Sequence, residues 1–359
     1  MSNAHDTDEI RKDDDGNVIS CFHCGSRSIR KSGFLYRANS KKQQWFCSAC
    51  GRKTVRPTIL EKSPFRVENI DPETIPINDL IEFRKKQYKQ KVTSKKSKTL
   101  VNIDIDVKGP IGIAHFGDPH VDDDGTDLSQ IIYNMDIING TEGMFAGNLG
   151  DIQNNWVGRL SHLYGQQSTS AKESWRLTEY FVNKLNWLYL VAGNHDVWSG
   201  DGDPLEFIMR DHSGLYERWG ARMNLRFPCG REIRINSRHT FKGNSMWNSA
   251  HGVAKAAQMG WKDHILTCGH THVSGYQVIK DPASGLISHA LQVASFKILD
   301  NYADKLGLDD KNIFNCPVTI IDPQYDDNDN RLITTIFSPH EGAKFLTWKR
   351  EYWKAQQTK

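Results

Sequence analysis

The chain has 359 residues, of which 38% are hydrophobic and 25% are charged. This composition is ordinary for a globular protein, and the length suffices for one large domain and one small domain. No apolar run approaches the roughly 18 residues that span a bilayer, which argues against a membrane partner. Residues 1–19 are polar and acidic and lack the apolar segment of a secretory signal. We therefore expect a cytoplasmic protein with an acidic, disordered tail over residues 1–19.

Charge is distributed unevenly along the chain. Residues 20–100 contain 19 Lys and Arg but 6 Asp and Glu, whereas residues 109–359 contain 24 and 29, respectively. A basic segment of this kind favours a polyanionic partner, nucleic acid first, although a solvated linker would have the same composition.

Four of the seven cysteines form two Cys-x2-Cys pairs in this basic segment, Cys21 with Cys24 and Cys47 with Cys50. Four thiolates in two turns predict the closed tetrahedral site of one structural Zn²⁺. The spacing between the pairs slightly exceeds the usual rule, but the strand patterns FLYRA and QQWFC fit a zinc ribbon over residues 20–56. A thioredoxin-like redox site is the competing interpretation, and the missing βαβ pattern argues against it.

The predicted ribbon resembles the N-terminal ribbons of some transposases, which carry CxxCGS, a basic middle and CxxCGRKT. Aromatic residues and cations alternate in it, and this combination suits nucleic-acid binding. Because so small a module has no other core, we expect Trp45 and Phe46 to pack around the metal. The cations that we expect to contact phosphates are Arg30, Lys31, Arg37, Lys41 and Lys42.

Residues 57–100 are predicted to form a basic linker. The linker begins with proline-bearing stretches and ends in a helix predicted over residues 78–91, with Asn78 as its cap. The stretch from Arg84 to Thr99 contains eight Lys and Arg and no acidic residue.

Strand and helix patterns alternate from residue 101 onward and predict an α/β domain over residues 101–359. Four short segments within it follow apolar, strand-like runs: GDPH (117–120), GD (150–151), GNHD (193–196) and GHTH (269–272). Side chains at strand ends can converge on one edge of a sheet. Their Asp, His and Asn residues supply the mixed oxygen and nitrogen ligands that suit divalent cations.

In their order and type, these segments resemble the calcineurin-like metallophosphoesterase superfamily over roughly residues 109–345. The motif order of that superfamily is DxH, GD, GNHD, an isolated His and GHxH. The resemblance implies two facing mixed β-sheets flanked by helices, with two divalent metal ions at one end. Longer stretches, such as GDPHVDDDGTD and NNWVGRLSHLYG, are similar to phage and prophage members, which implies the cytoplasm of a host cell.

The resemblance also implies seven metal ligands, with Mn²⁺ as the expected ion and Fe, Zn or Ni as alternatives. Asp151 would bridge both metals. The isolated histidine would be His239, which follows the strand-like REIRINS, and His251 is the alternative. The other ligands would be Asp118, His120 and His272 for the first metal, and Asn194 and His270 for the second.

His195 matches the residue that serves this family as an acid or a stabiliser of the leaving group. Asp196 would orient the His195 imidazole through a hydrogen bond. Asn155 and Arg159 follow Asp151 in the chain and would contact the substrate phosphate, with helix capping and surface exposure as equal alternatives.

Together these features predict a two-metal phosphoesterase that hydrolyses phosphodiester bonds. The basic ribbon and linker favour DNA as the substrate, bound through residues 20–100. The alternative is a small-molecule or phosphoprotein phosphatase whose ribbon binds a protein partner, since the motifs do not separate these activities. The sequence does not indicate an oligomeric state.

Overall fold

The computed structural model describes residues 18–38, 40–59, 75–197, 203–299 and 312–358. Most of the predicted acidic tail and residues 60–74 of the predicted linker lie outside these ranges. The described residues form two compact units, which divide between Phe83 and Arg84.

The small unit is built on an antiparallel hairpin of strands β2 (Ile29–Arg37) and β3 (Ser40–Cys47). Strand β4 (Lys53–Thr54) extends this sheet beside β3, and strands β1 (Ile19–Ser20) and β5 (Thr58–Ile59) form a separate pair. The unit has a very small core, in which the largest side chain is that of Trp45. The core residues are Ile19, Cys21, Ile29, Trp45 and Cys47.

Trp45 is 5% exposed and packs beside the cysteines as predicted, whereas Phe46 is half-buried. A core of five residues cannot by itself offset the conformational entropy lost on folding. The unit therefore depends on its cysteine cluster for a defined structure.

Helix α1 (Ile77–Ser97) is longer than the helix predicted over residues 78–91. Asn78 lies in its first turn rather than at its cap, and Pro76 precedes the helix. None of the α1 side chains that the structure describes is buried. The division between the two units falls within this helix.

The large unit contains two six-stranded sheets with helices outside them, which confirms the predicted α/β sandwich of two mixed sheets. In the first sheet the strand order is β10-β9-β8-β7-β16-β17, and in the second it is β14-β15-β13-β12-β11-β6. The strands of the first sheet are β7 (Ile111–Phe116), β8 (Met144–Asn148), β9 (Trp187–Ala192), β10 (Leu215–Arg218), β16 (Val318–Ile321) and β17 (Ile333–Ile336). The strands of the second are β6 (Val101–Asp104), β11 (Gly220–Arg226), β12 (Glu232–Arg238), β13 (Ile265–Cys268), β14 (Gly275–Lys280) and β15 (Ile287–Gln292).

The helices begin where the sequence supplies caps. Asp127 accepts a hydrogen bond at the start of the second helix, and Ser170 with Glu173 forms a capping box at the start of the third. The helices of this unit after α1 are α2 (Leu128–Gly140), α3 (Ala171–Lys184), α4 (Asn194–Val197), α5 (Pro204–Met209), α6 (His251–Met259) and α7 (Pro339–Gln357), with a 3₁₀ helix at Gly158–Gln166.

Strand β7 shows why the core has two layers. All six of its residues are buried, with Ile111 and Ile113 in the cluster between the sheets and Ala114 and Phe116 in the cluster under the helices. Both faces are covered, so the strand is apolar except for His115, whose two ring nitrogens are hydrogen-bonded. Among the described residues, no helix combines the length and the apolar character needed to cross a bilayer.

Candidate metal centres

Five chain segments carry the predicted ligands to one end of the two sheets. Strands β7, β8 and β9 are parallel neighbours, so the segments that follow them emerge at the same edge of the first sheet. Strands β12 and β13 are parallel neighbours in the second sheet. His239 follows β12, and the GHTH segment follows β13.

The backbone is strained where these segments turn. Seven non-glycine residues in the described part of the chain have a positive φ, and five of them are predicted ligands. Such residues are uncommon, cost about 1–3 kcal/mol each and cluster at functional sites. The five are Asp118 (32°), His120 (40°), Asp151 (52°), His270 (73°) and His272 (53°).

Gly150 lets the two sheets approach each other at this end. Its φ is +107°, and a Cβ atom there would lie 2.6 Å from both the backbone nitrogen of Gly193 and Nδ1 of His239. Any side chain at this position would therefore separate Asp151 from His239.

Three donor atoms surround Nε2 of His239 and form a group of four with it. This atom lies 2.9 Å from Oδ1 of Asn194, 3.0 Å from Nδ1 of His270 and 3.2 Å from Oδ2 of Asp151. Adjacent ligands of an octahedral cation, each about 2.1 Å from it, lie about 3 Å apart. The spacing therefore fits four ligands of one divalent ion.

The other ring nitrogen of His239 holds the imidazole in place. Nδ1 lies 2.8 Å from the carbonyl oxygen of Leu149, which can only accept a hydrogen bond. Nδ1 therefore carries a hydrogen, and Nε2 is the ring nitrogen that is available to bind a metal ion. Metal-binding histidines are commonly oriented in this way.

A second group of donors adjoins the first. Nε2 of His120 lies 3.3 Å from Nε2 of His272, which is 3.6 Å from Oδ2 of Asp118. One donor atom from each of His120, Asp151 and His195 lies within 4.8 Å of the others, as do single donor atoms of Asp151, His239 and His270. Asp151 is common to both sets, which is the position that a bridging carboxylate requires.

The cluster has a polar atom that a bound cation would satisfy. Oδ1 of Asp118 is buried and has no hydrogen-bond partner among the described residues. Burial raises the pKa of Asp118 well above its usual range, and the nearby carboxylate of Asp151 adds to this rise against the opposing effect of His239. Buried carboxylates that repel each other need a compensating cation.

Without a metal, the charge of His239 compensates these carboxylates. Burial alone would lower the pKa of His239, but Asp151 and Asp118 outweigh it and raise this pKa to about 10. A divalent cation would displace the proton from His239, so metal affinity should fall as the pH is lowered. The residues present therefore fit a pair of divalent cations.

His195 lies at the mouth of the cluster, and its side chain is 14% exposed. Its Nδ1 is 2.6 Å from the carbonyl oxygen of Asn154, and its Nε2 is 3.9 Å from Oδ2 of Asp151. The ring packs edge-on against those of His120 and Trp156, at centroid distances of 5.0 and 5.3 Å.

The prediction that Asp196 orients His195 is wrong. Both carboxylate oxygens of Asp196 accept backbone N–H groups, from Asp151 (2.7 Å), Gly193 (2.8 Å) and Ile152 (3.0 Å). The turns after β8 and β9 leave these buried donors without a backbone partner, and Asp196 satisfies them. Burial, reinforced by the charge of Asp151, raises the pKa of Asp196 to about 7. Asn154 orients the imidazole instead, through its carbonyl oxygen.

Of the two predicted substrate contacts, Asn155 has a different role. It is buried, and its Nδ2 donates a hydrogen bond of 2.7 Å to the carbonyl oxygen of His195. This bond supports the backbone of His195. Arg159 is exposed in the 3₁₀ helix, and its contact with phosphate stays a prediction.

The remaining histidines separate clearly from the cluster. His251, the alternative to His239, is the first residue of α6 and belongs to neither donor group. His115 is bound by Tyr189 (2.6 Å) and Thr319 (2.8 Å), and burial lowers its pKa to about 3. A structural role for His115 agrees with its exclusion from the ligand set.

Sequence reasoning missed Lys297. Its Nζ lies 3.0 Å from Oδ2 of Asp123, and both side chains are mostly buried. Burial lowers the pKa of His120 well below its usual range, and the charges of His195, His272 and Lys297 contribute to this shift. Lys297 follows the apolar run that contains β15. This position beyond a strand end is the sequence feature that could have predicted its place near the cluster.

The four cysteines of the small unit form a separate cluster. The Sγ atoms lie 3.7 Å apart both between Cys21 and Cys50 and between Cys24 and Cys47, and one donor atom from each of the four lies within 4.8 Å of the others. Thiolates about 2.3 Å from a tetrahedral zinc ion lie about 3.8 Å apart. The geometry therefore fits the predicted zinc site.

Several solved structures are similar to the chain. The chain is similar to the calcineurin-like phosphoesterase YfkN from Bacillus subtilis, with a TM-score of 0.33 and 9% identity over 67% of this chain and 99% of that one. It is also similar to GAP50, the anchor in the inner membrane complex of Plasmodium, with a TM-score of 0.30 and 12% identity over 64% and 84% of the two chains. No protein-family model and no curated protein matches the chain. At these TM-scores the two likenesses carry no weight for function.

Replacing Asp151 by Asn should remove the shared carboxylate and lower the metal content of both candidate positions in the large unit. We expect metal affinity to fall by more than the roughly 10–100-fold that loss of an outer hydrogen-bond partner costs. The measurement is Mn²⁺ titration of the purified variant. Asp136→Asn, an exposed carboxylate on α2, is the matched control. Unchanged binding of two ions by Asp151→Asn would contradict the assignment.

Replacing Cys47 by Ser should abolish zinc binding by the small unit, because structural zinc supplies much of the folding free energy of such modules. We expect residues 20–56 to unfold and the large unit to remain folded. Zinc per chain, measured by elemental analysis, should fall by one equivalent, whereas Cys229→Ser, which changes an exposed cysteine outside the cluster, should retain it. An unchanged zinc count in Cys47→Ser would reject the site.

Proposed function

We propose that this protein is a metal-dependent phosphoesterase that hydrolyses phosphodiester bonds, with DNA as its substrate. The observation that carries the proposal is the position of Asp151 in two adjoining groups of metal-binding side chains at one end of the sandwich. When bound, two divalent cations polarise phosphate oxygens and lower the pKa of water to about 7.

The predicted ligands fall into two sets, one for each cation. Asp118, His120 and His272 would hold the first cation, Asn194, His239 and His270 the second, and Asp151 both. Asn194 is half-buried and His270 is exposed, so the cluster opens to solvent on the side of the second group. A phosphodiester would enter from this side.

His195 is the proposed proton donor to the leaving oxygen. The Asn154 carbonyl fixes the hydrogen on Nδ1, so Nε2 is the atom that gains or loses the second proton. This atom faces the cluster and lies 3.9 Å from the Asp151 carboxylate.

The proposal of DNA as the substrate rests on charge. Helix α1 is exposed along its described length and carries most of the eight Lys and Arg between Arg84 and Thr99, a stretch without acidic residues. Residues 109–359, in contrast, contain more acidic than basic residues. Phosphate contacts by α1 and by the cysteine-rich unit would concentrate DNA near a site whose own surroundings repel it.

His195→Ala should leave both catalytic metals bound and lower turnover by roughly 10²–10⁴-fold, which is the usual contribution of a general acid or base. The measurement combines metal counting with hydrolysis of an aryl phosphodiester in Mn²⁺. Loss of a metal ion from this variant would instead make His195 a ligand, which its distance from Asp151 also permits.

Changing Lys86, Lys89 and Lys91 of α1 to Gln should weaken DNA binding and flatten its dependence on salt, since each lost phosphate contact reduces the slope by about 0.7–0.9. Hydrolysis of the aryl phosphodiester should not change. The matched control neutralises three exposed lysines of the large unit, Lys172, Lys255 and Lys280.

These variants should be compared over a substrate panel of single- and double-stranded DNA, RNA, cyclic nucleotides and the aryl phosphodiester. Equal DNA affinity and cleavage in the two lysine variants would contradict the DNA assignment. The favoured function would then be a phosphatase whose cysteine-rich unit binds a protein.

A further inference from the structure

One face of the β2–β3 hairpin carries two exposed aromatic rings. Phe34 and Tyr36 are two residues apart in β2, so their side chains lie on the same face. They are 47% and 70% exposed, and their ring centroids are 6.5 Å apart. Neither ring belongs to the core of the small unit, so the packing of this unit does not account for them.

The first ring is held in place by an irregularity in the strand. The pairing of β2 with β3 shifts register between Lys31 and Phe34, and Gly33 has a φ of +80° there. Nε2 of Gln43 donates a hydrogen bond of 2.7 Å to the carbonyl oxygen of Gly33 and closes the bulge. Gln43 is also the residue paired with Phe34, so its bond fixes the position of the ring.

A cation accompanies the rings. Lys41 is paired with Tyr36 across the hairpin, and its Nζ lies 4.1 Å from the ring centroid of Phe34 and 5.8 Å from that of Tyr36. Residues 29–47 contain five Lys and Arg and no Asp or Glu. The face therefore combines exposed π surfaces with positive charge and has no acidic residue to repel phosphate.

We propose that this face of the hairpin, formed by Phe34, Tyr36 and Lys41, binds single-stranded DNA by stacking unpaired bases on its two rings. Every base has a π face that can stack on an aromatic side chain, and Lys41 can reach the adjoining phosphate. In a duplex those base faces are covered by neighbouring base pairs. The inference rests on the proposed function for its choice of DNA and adds the preference for a single strand.

The binding test uses the full-length, zinc-loaded chain carrying Asp151→Asn, which prevents cleavage during the measurement. The probes are a single-stranded DNA of about 16 nucleotides, near the upper site size of single-strand-binding folds, and a duplex of the same length. 2-Aminopurine in the single strand reports stacking through its fluorescence. The variants are Phe34→Ala with Tyr36→Ala, and the ring-preserving pair Phe34→Tyr with Tyr36→Phe.

We expect the double alanine variant to bind the single strand at least about 10-fold more weakly, because stacking contributes roughly 5- to 150-fold in affinity for each base. The change in 2-aminopurine fluorescence on binding should disappear in this variant. The affinity for the duplex should change less than about 3-fold, which is less than the loss expected for one stacked base. The ring-preserving variant should bind like the parent. Phe22→Ala, which removes a 66% exposed ring outside the hairpin, should also bind normally.

Equal losses for single strand and duplex, no loss, or the same loss in Phe22→Ala would overturn the inference. Whether the hairpin variants are folded is measured separately, by zinc content and by hydrolysis of the aryl phosphodiester, in protein that retains Asp151. If the protein that retains Asp151 hydrolyses no phosphodiester but the single-strand effect is present, the proposed function fails and the inference stands. If hydrolysis is present and the rings have no selective effect, only the inference fails.

Discussion

The metal-binding cluster of the large unit depends on the burial of the Asp151 carboxylate where the ends of two sheets meet. Asp151 comes from the first sheet, is 2% exposed and contacts His239 from the second. A charge in such a place is costly unless opposite charge or hydrogen bonds compensate it. Asp196 and the strained turns at this end hold the carboxylate there, and a pair of divalent cations is the compensation that best matches the surrounding donors.

The two units differ in how far the stability of their folds depends on metal binding. In the large unit the sandwich core is extensive, so the fold can carry strained turns and buried charge at its end. In the small unit the core is five residues, so the metal cluster itself must stabilise the fold. The rings of Phe34 and Tyr36 remain outside that core, so the proposed binding does not compete with the packing of the unit.

Much of this arrangement could be predicted from the sequence because its cues are local. Apolar runs ending in Gly and Asp or His indicated strand ends, and a parallel sheet brings such ends to one edge. Side-chain direction is not local. Asp196 was expected to face His195, but it accepts N–H groups from the distant turn after β8 and from Gly193 nearby. Lys297 reaches the cluster from far along the chain.

Anomalous diffraction from crystals soaked in Mn²⁺ would show whether Asp151 bridges two metal ions. We expect two anomalous peaks about 3.5–4 Å apart, both ligated by Asp151, with His239 on only one of them. A single ion, two ions that do not share Asp151, or coordination by His251 in place of His239 would contradict this expectation.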